Sequence, residues 1–157
     1  AAHGPVDLAA MLRDCLKLLE RSDERRPEHR LTVDLPDELK VIGDDELLRQ
    51  VFWNLTRNAL QAMPDGGELA IRGTCTGDRV ILVWRDTGVG MSDNVRSRAF
   101  EPFVTTKAEG TGLGLFIANK IVDRHGGNIE VESEPGPARR RRKRVACWAA
   151  SAWPKTC

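Results

Sequence analysis

Two asparagines lie four residues apart in a polar stripe of the chain. Asn54 and Asn58 belong to a series that also contains Gln50 and Gln61, and residues at this spacing share one face of a helix. A neutral amide oxygen is a hard ligand that can hold Mg²⁺ without repelling a phosphate group. The stripe by itself would also fit an ordinary hydrophilic helix face.

A carboxylate followed by glycines ends an apolar segment of the chain. The residues Asp86-Thr-Gly-Val-Gly90-Met91 come directly after the run Val80-Ile-Leu-Val-Trp84 and Arg85. A carboxylate held there can accept a hydrogen bond from an exocyclic amine, and the glycines allow the backbone to approach a ring closely. The alternative interpretation is a tight turn capped by Asp86.

A third segment, Gly110-Thr-Gly-Leu-Gly114-Leu115, precedes a predicted helix. Glycines before a helix start leave N–H groups that favour an anion, and the helix dipole adds to the attraction. No Gly-Lys-Ser/Thr follows, so the segment is not a Walker loop, and no strand leads directly into it as in a dinucleotide fingerprint. Alone, this glycine cluster is weak support for an anion site.

Hydrophobic periodicity predicts the elements that must position these segments. Apolar residues at helical spacing predict a helix over 6–20, a second that begins at Asp44 or Asp45 and ends before Pro64, and a third over 113–125. Strands are predicted over 31–35, 39–42, 68–76, 79–86 and 128–133. Residues 87–112 are predicted to form a loop, and loops of this length are usually functional. The order of elements indicates an α+β domain with helices packed on a sheet.

The composition is typical of one soluble globular domain. The chain has 157 residues, of which 41% are hydrophobic and 30% are charged. No apolar run approaches the ~20 residues of a membrane span, and the first residues do not resemble a signal peptide. The four scattered cysteines form no Cys-x-x-Cys pair, so we expect free thiols.

The charge is unevenly distributed along the chain. Residues 138–157 contain seven basic residues and no acidic one, whereas the rest of the chain has 17 basic and 23 acidic residues and a net charge of −6. The body is therefore acidic and only the last segment is basic. An acidic body argues against general nucleic-acid binding by the folded part.

Four motifs, in order, resemble those of a known family. The segments Asn54-Leu-Thr-Arg-Asn58-Ala, Asp86-Thr-Gly-Val-Gly90, Phe100-Glu-Pro-Phe103 and Gly110-Thr-Gly-Leu-Gly114-Leu resemble the asparagine box, first glycine box, phenylalanine box and second glycine box of bacterial sensor histidine kinases. These kinases belong to the GHKL superfamily of ATP-binding proteins. The segment Phe100-Glu-Pro-Phe-Val-Thr-Thr-Lys107 is most similar to the nitrogen-regulation branch. The resemblance covers about residues 6–136.

The resemblance implies both a fold and an activity. The fold would be the Bergerat, or GHKL, ATP-binding fold, a two-layer α+β sandwich of a mixed β-sheet covered by about three helices. The domain would bind ATP with Mg²⁺ and supply the γ-phosphate to a histidine on a separate dimerisation domain, in two-component signal transduction. A response regulator would be the indirect partner. The alternatives are an anti-sigma-type serine kinase and a nucleotide-binding interaction module that transfers no phosphate.

The resemblance also assigns roles to residues. Asn58 would coordinate Mg²⁺, with Asn54 on the phosphate side and Gln61 beside the cofactor. Asp86 would bond the adenine amine. The other expected cofactor contacts come from the adenine pocket, a mobile lid and the phosphate-binding start of the last helix, namely Gly88, Gly90, Met91, Thr105, Thr106, Lys107, Gly110, Thr111, Gly112, Leu113, Gly114 and Leu115. Phosphoryl transfer relies mainly on positioning and charge stabilisation, which such residues can supply.

One position separates the kinase branch from the ATPases of the superfamily. In gyrase, the mismatch-repair ATPases and the heat-shock chaperone, a glutamate four residues before the metal asparagine activates water. This chain has Asn54 at that position, and an amide cannot act as a general base. We therefore expect slow ATP hydrolysis and transfer of the phosphoryl group to an acceptor.

The sequence departs from the family pattern in two respects. None of His3, His29 and His125 lies in an acceptor-like context; His125 is predicted to be structural and the other two to lie in loops. After Gly136 the family continues with an alternating strand, whereas this chain continues with the arginine-rich run 139–144. We expect that strand to be lost and interpret the last segment as a translation in a shifted reading frame. A nucleic-acid or acidic-lipid arm and a divergent natural end are the alternatives.

The predicted organisation has three parts. Residues 1–5 would be a linker remnant, 6–136 the ATP-binding domain and 137–157 an atypical basic tail. As an isolated fragment the chain is expected to be a monomer and to belong to the cytoplasmic portion of its kinase. No contact with nucleic acid or with the membrane is expected from this domain.

Overall fold

The computed structural model describes residues 3–77, 79–103, 113–133 and 143–149, the last range by its backbone alone. The elements in chain order are β1 (Gly4–Asp7), α1 (Leu8–Glu20), β2 (His29–Asp34), β3 (Lys40–Gly43), α2 (Asp45–Gln61), β4 (Gly67–Thr76), β5 (Arg79–Asp86), α3 (Asp93–Ser97), α4 (Gly114–Arg124), β6 (Asn128–Ser133) and β7 (Lys143–Ala149). The three predicted helices and five predicted strands are confirmed, with ends that differ by about two residues at most. β1, α3 and β7 are not predicted from the sequence.

Five strands form a mixed sheet in the order β2-β4-β5-β7-β6. β2 runs parallel to β4, and every other neighbouring pair in this sheet is antiparallel. β1 and β3 pair separately as a two-stranded antiparallel sheet. The combination of a mixed sheet with helices confirms the predicted α+β fold class.

The helices pack on the sheet to form the core. An apolar cavity between the layers is lined by residues of α1, α2, β5 and α4 together, among them Leu12, Phe52, Trp84 and Val122. All four of these side chains are buried. The two-layer arrangement of the fold class is therefore confirmed. In the described part of the chain, no helix has both the length and the hydropathy of a membrane span.

The C-terminal strand, which the sequence predicts to be lost, is present and lies inside the sheet. β7 pairs with β5, from Lys143 opposite Asp86 to Ala149 opposite Val80, and on its other side with β6. The prediction is wrong because strand pairing uses backbone N–H and C=O groups, which basic residues such as Lys143 and Arg144 at the start of β7 also supply. The continuous apolar run at 145–149 is typical of an interior strand.

β1 lies partly in the segment predicted to be a linker remnant, since Gly4 and Pro5 pair with β3. Asp7 ends this strand, and its Oδ1 accepts hydrogen bonds from Ala9 N at 3.1 Å and Leu39 N at 2.9 Å. One carboxylate therefore caps α1 and ties it to the segment that leads into β3. The domain boundaries themselves, at 5/6 and 136/137, stay predictions.

The expectation of free thiols is confirmed for Cys15 and wrong for Cys75. Cys15 is free and buried on α1, and burial raises the pKa of its thiol. Cys75, near the end of β4, is disulfide-bonded. Chain spacing does not reveal this pairing, because a disulfide depends on the distance between two residues in the folded protein.

His125 has the structural role predicted for it. Its Nδ1 donates to Ile121 O at 2.7 Å, and its Nε2 accepts the N–H of Asp44 at 3.0 Å. The ring thus ties the end of α4 to the residue that caps α2. His29, which is predicted to lie in a loop, instead begins β2 and is only 2% exposed.

Thr56 and Trp84 form a buried hydrogen bond between α2 and β5, in which Trp84 Nε1–H donates to Thr56 Oγ1 at 3.0 Å. Replacement of Thr56 by valine keeps the shape of the side chain but leaves the indole N–H without this acceptor. We expect the free energy of unfolding to fall by about 1–3 kcal/mol, measured by urea denaturation. Thr56→Ser keeps the acceptor, so an equal or larger loss in the serine variant would contradict this explanation.

Candidate functional site

α2 presents the two asparagines beside its buried stripe. The helix begins after Asp44, whose Oδ1 accepts the N–H of Leu47 at 3.2 Å, and its buried residues recur at helical spacing. Asn54 and Asn58 are half-buried, and Gln61, the last helical residue, is exposed. The polar stripe therefore runs from the half-buried middle of the helix to its exposed end.

Asp86 ends β5 as a buried carboxylate. It is 1% exposed, and its Oδ1 accepts the N–H of Gly88 at 2.9 Å. This bond closes a short turn and fixes the direction of the carboxylate. The aspartate-capped turn given as the alternative interpretation is therefore present. It is compatible with ligand binding, because an ionised carboxylate offers about four lone-pair sites to hydrogen-bond donors.

The turn after Asp86 rests on the last residues of α2. A Cβ at Gly88 would lie 2.4 Å from the carbonyl oxygen of Ala62, and Val89 N donates to the same oxygen at 2.9 Å. Ala62 N in turn donates to Asn58 O at 3.1 Å. Only glycine fits at position 88, and its contact brings the aspartate turn and the asparagine helix into one site.

The start of α4 lies against α2 at Asn54. A Cβ at Gly114 would lie 3.9 Å from the carbonyl oxygen of Asn54. Among the described residues, no side chain caps α4, and Asn54 Nδ2 is buried without a hydrogen-bond partner. N–H groups at an uncapped helix start, beside a buried amide donor, favour an anionic ligand.

The remaining predicted site residues fall into two sets. Gly90 has a φ of 71°, in the region that favours glycine, and Met91 is half-buried. Leu113 and Leu115 are half-buried on either side of Gly114. Six predicted residues lie outside the described residues, namely Thr105, Thr106, Lys107, Gly110, Thr111 and Gly112.

The surroundings of Asn58 fit a Mg²⁺ site that has few protein ligands. Within 3–77, 79–103, 113–133 and 143–149, no group of three or more His, Cys, Asp or Glu side chains could hold a metal ion. Mg²⁺ commonly takes only one or two protein ligands and completes its shell with phosphate oxygens and water. One amide oxygen from Asn58 is compatible with that mode.

Sequence reasoning does not indicate four residues that lie in the aspartate turn or in the segments packed next to it, namely His29, Ala62, Met63 and Thr87. Thr87 Oγ1 accepts the N–H of Glu68 at 3.0 Å and lies 3.7 Å from Met63 Sδ. His29 contacts the carbonyl oxygen of Met63. These contacts join segments distant in the chain, so local patterns do not show them. Only the place of Thr87 inside the Asp86–Gly90 motif could have drawn attention to it.

Comparison with known proteins finds a matching family model and curated relatives. A family model described as histidine kinase-, DNA gyrase B-, and HSP90-like ATPase matches residues 43–148. Sporulation kinase E of Bacillus subtilis (strain 168) is 38% identical over 128 residues, which cover 80% of this chain and 17% of that protein. The chain spans about a fifth of the length of the curated relatives it matches.

Two solved structures have the same fold and are identical to this chain at more than a quarter of the aligned residues. The mycobacterial sensor histidine kinase MprB superimposes with a TM-score of 0.83 at 28% identity, covering 96% of this chain and 98% of that one. Full-length ShkA in complex with AMPPNP superimposes with a TM-score of 0.80 at 27% identity, covering 96% of this chain and 31% of that one.

Proposed function

Because the chain belongs to the family of histidine kinase-, DNA gyrase B- and HSP90-like ATPases, we propose that it is the ATP-binding catalytic domain of a protein-histidine kinase. It would bind Mg-ATP and supply the γ-phosphate to a histidine on a separate dimerisation domain. The observation that carries the proposal is that α2 contacts both other motifs. The Asp86 turn rests on its end, and the start of α4 lies against Asn54.

The Asp86 end of the site suits the adenine ring. The carboxylate of Asp86 would accept a hydrogen bond from the adenine amine, while Gly88, Gly90 and Met91 would shape the pocket around the ring. The close contact between Gly88 and Ala62 leaves no room for a side chain between the turn and the helix. The AMPPNP bound by ShkA supports an adenine nucleotide as the ligand.

The α4 end of the site suits the phosphates. N–H groups from Leu113 to Leu115 would donate to phosphate oxygens, and the helix dipole would favour their charge. Asn54 Nδ2, which is buried and lacks a partner among the described residues, would donate to the same groups. Asn58 would supply an amide oxygen to Mg²⁺, which neutralises phosphate charge when bound.

The proposal also covers the lid, the partners of the domain and its location. Lys107 would neutralise phosphate charge from a lid that also contains Thr105 and Thr106, with Gly110, Thr111 and Gly112 completing the phosphate loop. Gln61 would contact the cofactor at the exposed end of α2. The phosphorylated dimerisation domain would pass its phosphoryl group to a response regulator. The domain would lie in the cytoplasmic part of its kinase, which resembles the nitrogen-regulation branch.

Transfer to a separate acceptor tests the proposed function directly. The chain is mixed with Mg-ATP labelled at the γ-phosphate and with a helical-hairpin domain that carries an acceptor histidine. Acid-labile, base-stable label on the hairpin, absent when its histidine is replaced, is the expected result. ATP binding without such label would instead favour a nucleotide-binding interaction module, and label on serine would favour the serine-kinase alternative.

Asn54→Glu is expected to raise ATP hydrolysis at least about tenfold. In the ATPase branch of the superfamily a glutamate at this position activates water, and a general base contributes about 10²–10⁴ in rate. The increase should be smaller here, because a general base also needs the attacking water within hydrogen-bond reach, which one substitution does not itself provide. Phosphate release in the absence of an acceptor is the measurement.

The control for this variant is Asn54→Gln, which has the length of glutamate but no basic oxygen. Its hydrolysis should stay at the slow rate of the unchanged chain. Equal rates in the glutamate and glutamine variants, with ATP still bound by both, would contradict the proposed role of position 54.

A further inference from the structure

His29 is a buried, titratable side chain that the proposed chemistry leaves without a role. It is 2% exposed, its Nε2 lies 2.8 Å from Met63 O, and its Nδ1 accepts the N–H of Arg26 at 3.2 Å. Because Nδ1 is an acceptor, Nε2 carries the proton and donates to Met63. Both nitrogens of the neutral ring are therefore engaged.

Met63 connects this histidine to the aspartate turn. It follows Ala62, on whose carbonyl oxygen the Gly88 turn rests. Its Sδ lies 3.7 Å from Thr87 Oγ1, and a Cβ at Gly67 would lie 2.6 Å from the same sulfur atom. His29 thus holds the backbone of the residue whose side chain packs against the strand end that carries Asp86.

We propose that His29 is a positioning residue for the adenine end of the site. By holding the Met63 carbonyl group, it keeps Ala62 in place under Gly88 and so keeps Asp86 directed at the base. The inference rests on the proposed function and assigns no contact between His29 and the nucleotide. An apolar side chain would fill the same volume but could not hold the end of α2.

Two amide substitutions at His29 test the two hydrogen bonds of its ring one at a time. The amide nitrogen of His29→Gln reaches the position of Nε2 and can donate to Met63 O. The amide of His29→Asn reaches only the position of Nδ1, so it can accept from Arg26 N and leaves Met63 O without this donor. We expect glutamine to keep the Kd for Mg-ATP within about threefold, and asparagine to raise it about tenfold, the effect of about one hydrogen bond.

The preference for ATP over ITP is a second measurement, which distinguishes positioning of Asp86 from general loosening of the fold. ITP carries a carbonyl group in place of the adenine amine, so a correctly directed Asp86 should prefer ATP. His29→Asn should lower the ratio of ATP affinity to ITP affinity, and His29→Gln should restore it. The same affinity and the same ratio in both variants would overturn the proposal.

Val80→Ala is the matched stability control. Val80 is fully buried on β5, six residues from Asp86 and at the other end of the strand. This variant should melt at a lower temperature and keep the wild-type Kd and nucleotide preference. If Val80→Ala and His29→Asn lost affinity and preference to the same degree, His29 would be shown to act only through stability.

Amide hydrogen exchange in the wild-type chain tests the inference without any substitution. Since coupling between sites is reciprocal, Mg-ATP binding should slow exchange of the Arg26 amide, which donates to His29 Nδ1. Protection of the Gly88 and Val89 amides without any change at Arg26 would overturn the inference. A chain that binds no Mg-ATP at all would instead refute the proposed function.

Discussion

Asp86→Asn is expected to weaken Mg-ATP binding about ten- to a hundredfold. The carboxylate is buried, with Oδ1 held by the Gly88 N–H. An asparagine can still accept that bond, but its second polar atom is an NH₂ group that cannot accept from the adenine amine. A hydrogen bond to a charged group contributes about 1.5–3 kcal/mol, which corresponds to this range.

Calorimetric titration with Mg-ATP measures the effect. The unchanged chain should bind with a Kd of roughly micromolar to sub-millimolar, or about −8 to −4 kcal/mol. Asp37→Asn, which removes an exposed carboxylate between β2 and β3, should leave the Kd unchanged. The chain with Asp86 should also prefer ATP to ITP, and the asparagine variant should lose that preference. An unaltered Kd in a folded Asp86→Asn protein would refute adenine recognition by this carboxylate.

Asn58→Ala is expected to lower the rate of phosphohistidine formation by about a hundredfold or more. The variant removes the amide oxygen that would hold Mg²⁺, an ion that would supply positioning and charge neutralisation to the phosphates. ATP binding in the absence of Mg²⁺ should change little, because Asp86 and the start of α4 are untouched. The initial rate of acceptor labelling across a series of Mg²⁺ concentrations is the measurement.

Gln50→Ala provides the matched control for the asparagine variant. Gln50 lies on the same polar stripe two turns earlier and is exposed, and no role in binding is assigned to it. Its removal should leave both the rate and the Mg²⁺ requirement unchanged. A wild-type Mg²⁺ dependence in Asn58→Ala would show that the metal is held by other groups.

The periodic elements of the fold are predictable because each satisfies a local rule. α2 has a capping aspartate, acidic residues in its first turn and a buried stripe at helical spacing. β1 and β7 are missed for different reasons. The four residues of β1 are too few to show alternation. β7 begins with Lys143 and Arg144, the last two residues of the arginine-rich run, so the apolar residues after them show no clear strand pattern. Its place between β5 and β6 depends on backbone pairing over long distances in the chain.

The candidate site is predictable as a set of motifs but not as a packed arrangement. The sequence indicates Asp86, Gly88 and the two asparagines by type and spacing. It does not indicate that Gly88 rests on Ala62, because alanine at the end of a helix is an ordinary residue. Nor does it indicate that His29 holds Met63, since a histidine at a strand start has no local signature. Both facts arise from tertiary contacts that local periodicity does not encode.

The place of β7 also has a consequence for the order in which the molecule can assemble. β7 is the last of the eleven described elements in the chain, yet it pairs with both β5 and β6 inside the sheet. Its partners on β5 lie 57 to 69 residues earlier. During synthesis β5 and β6 must leave the ribosome with open edges, and contacts so distant in sequence form slowly. Until residue 149 has emerged, the edges of β5 and β6 that β7 covers are therefore open to pairing with strands of other molecules.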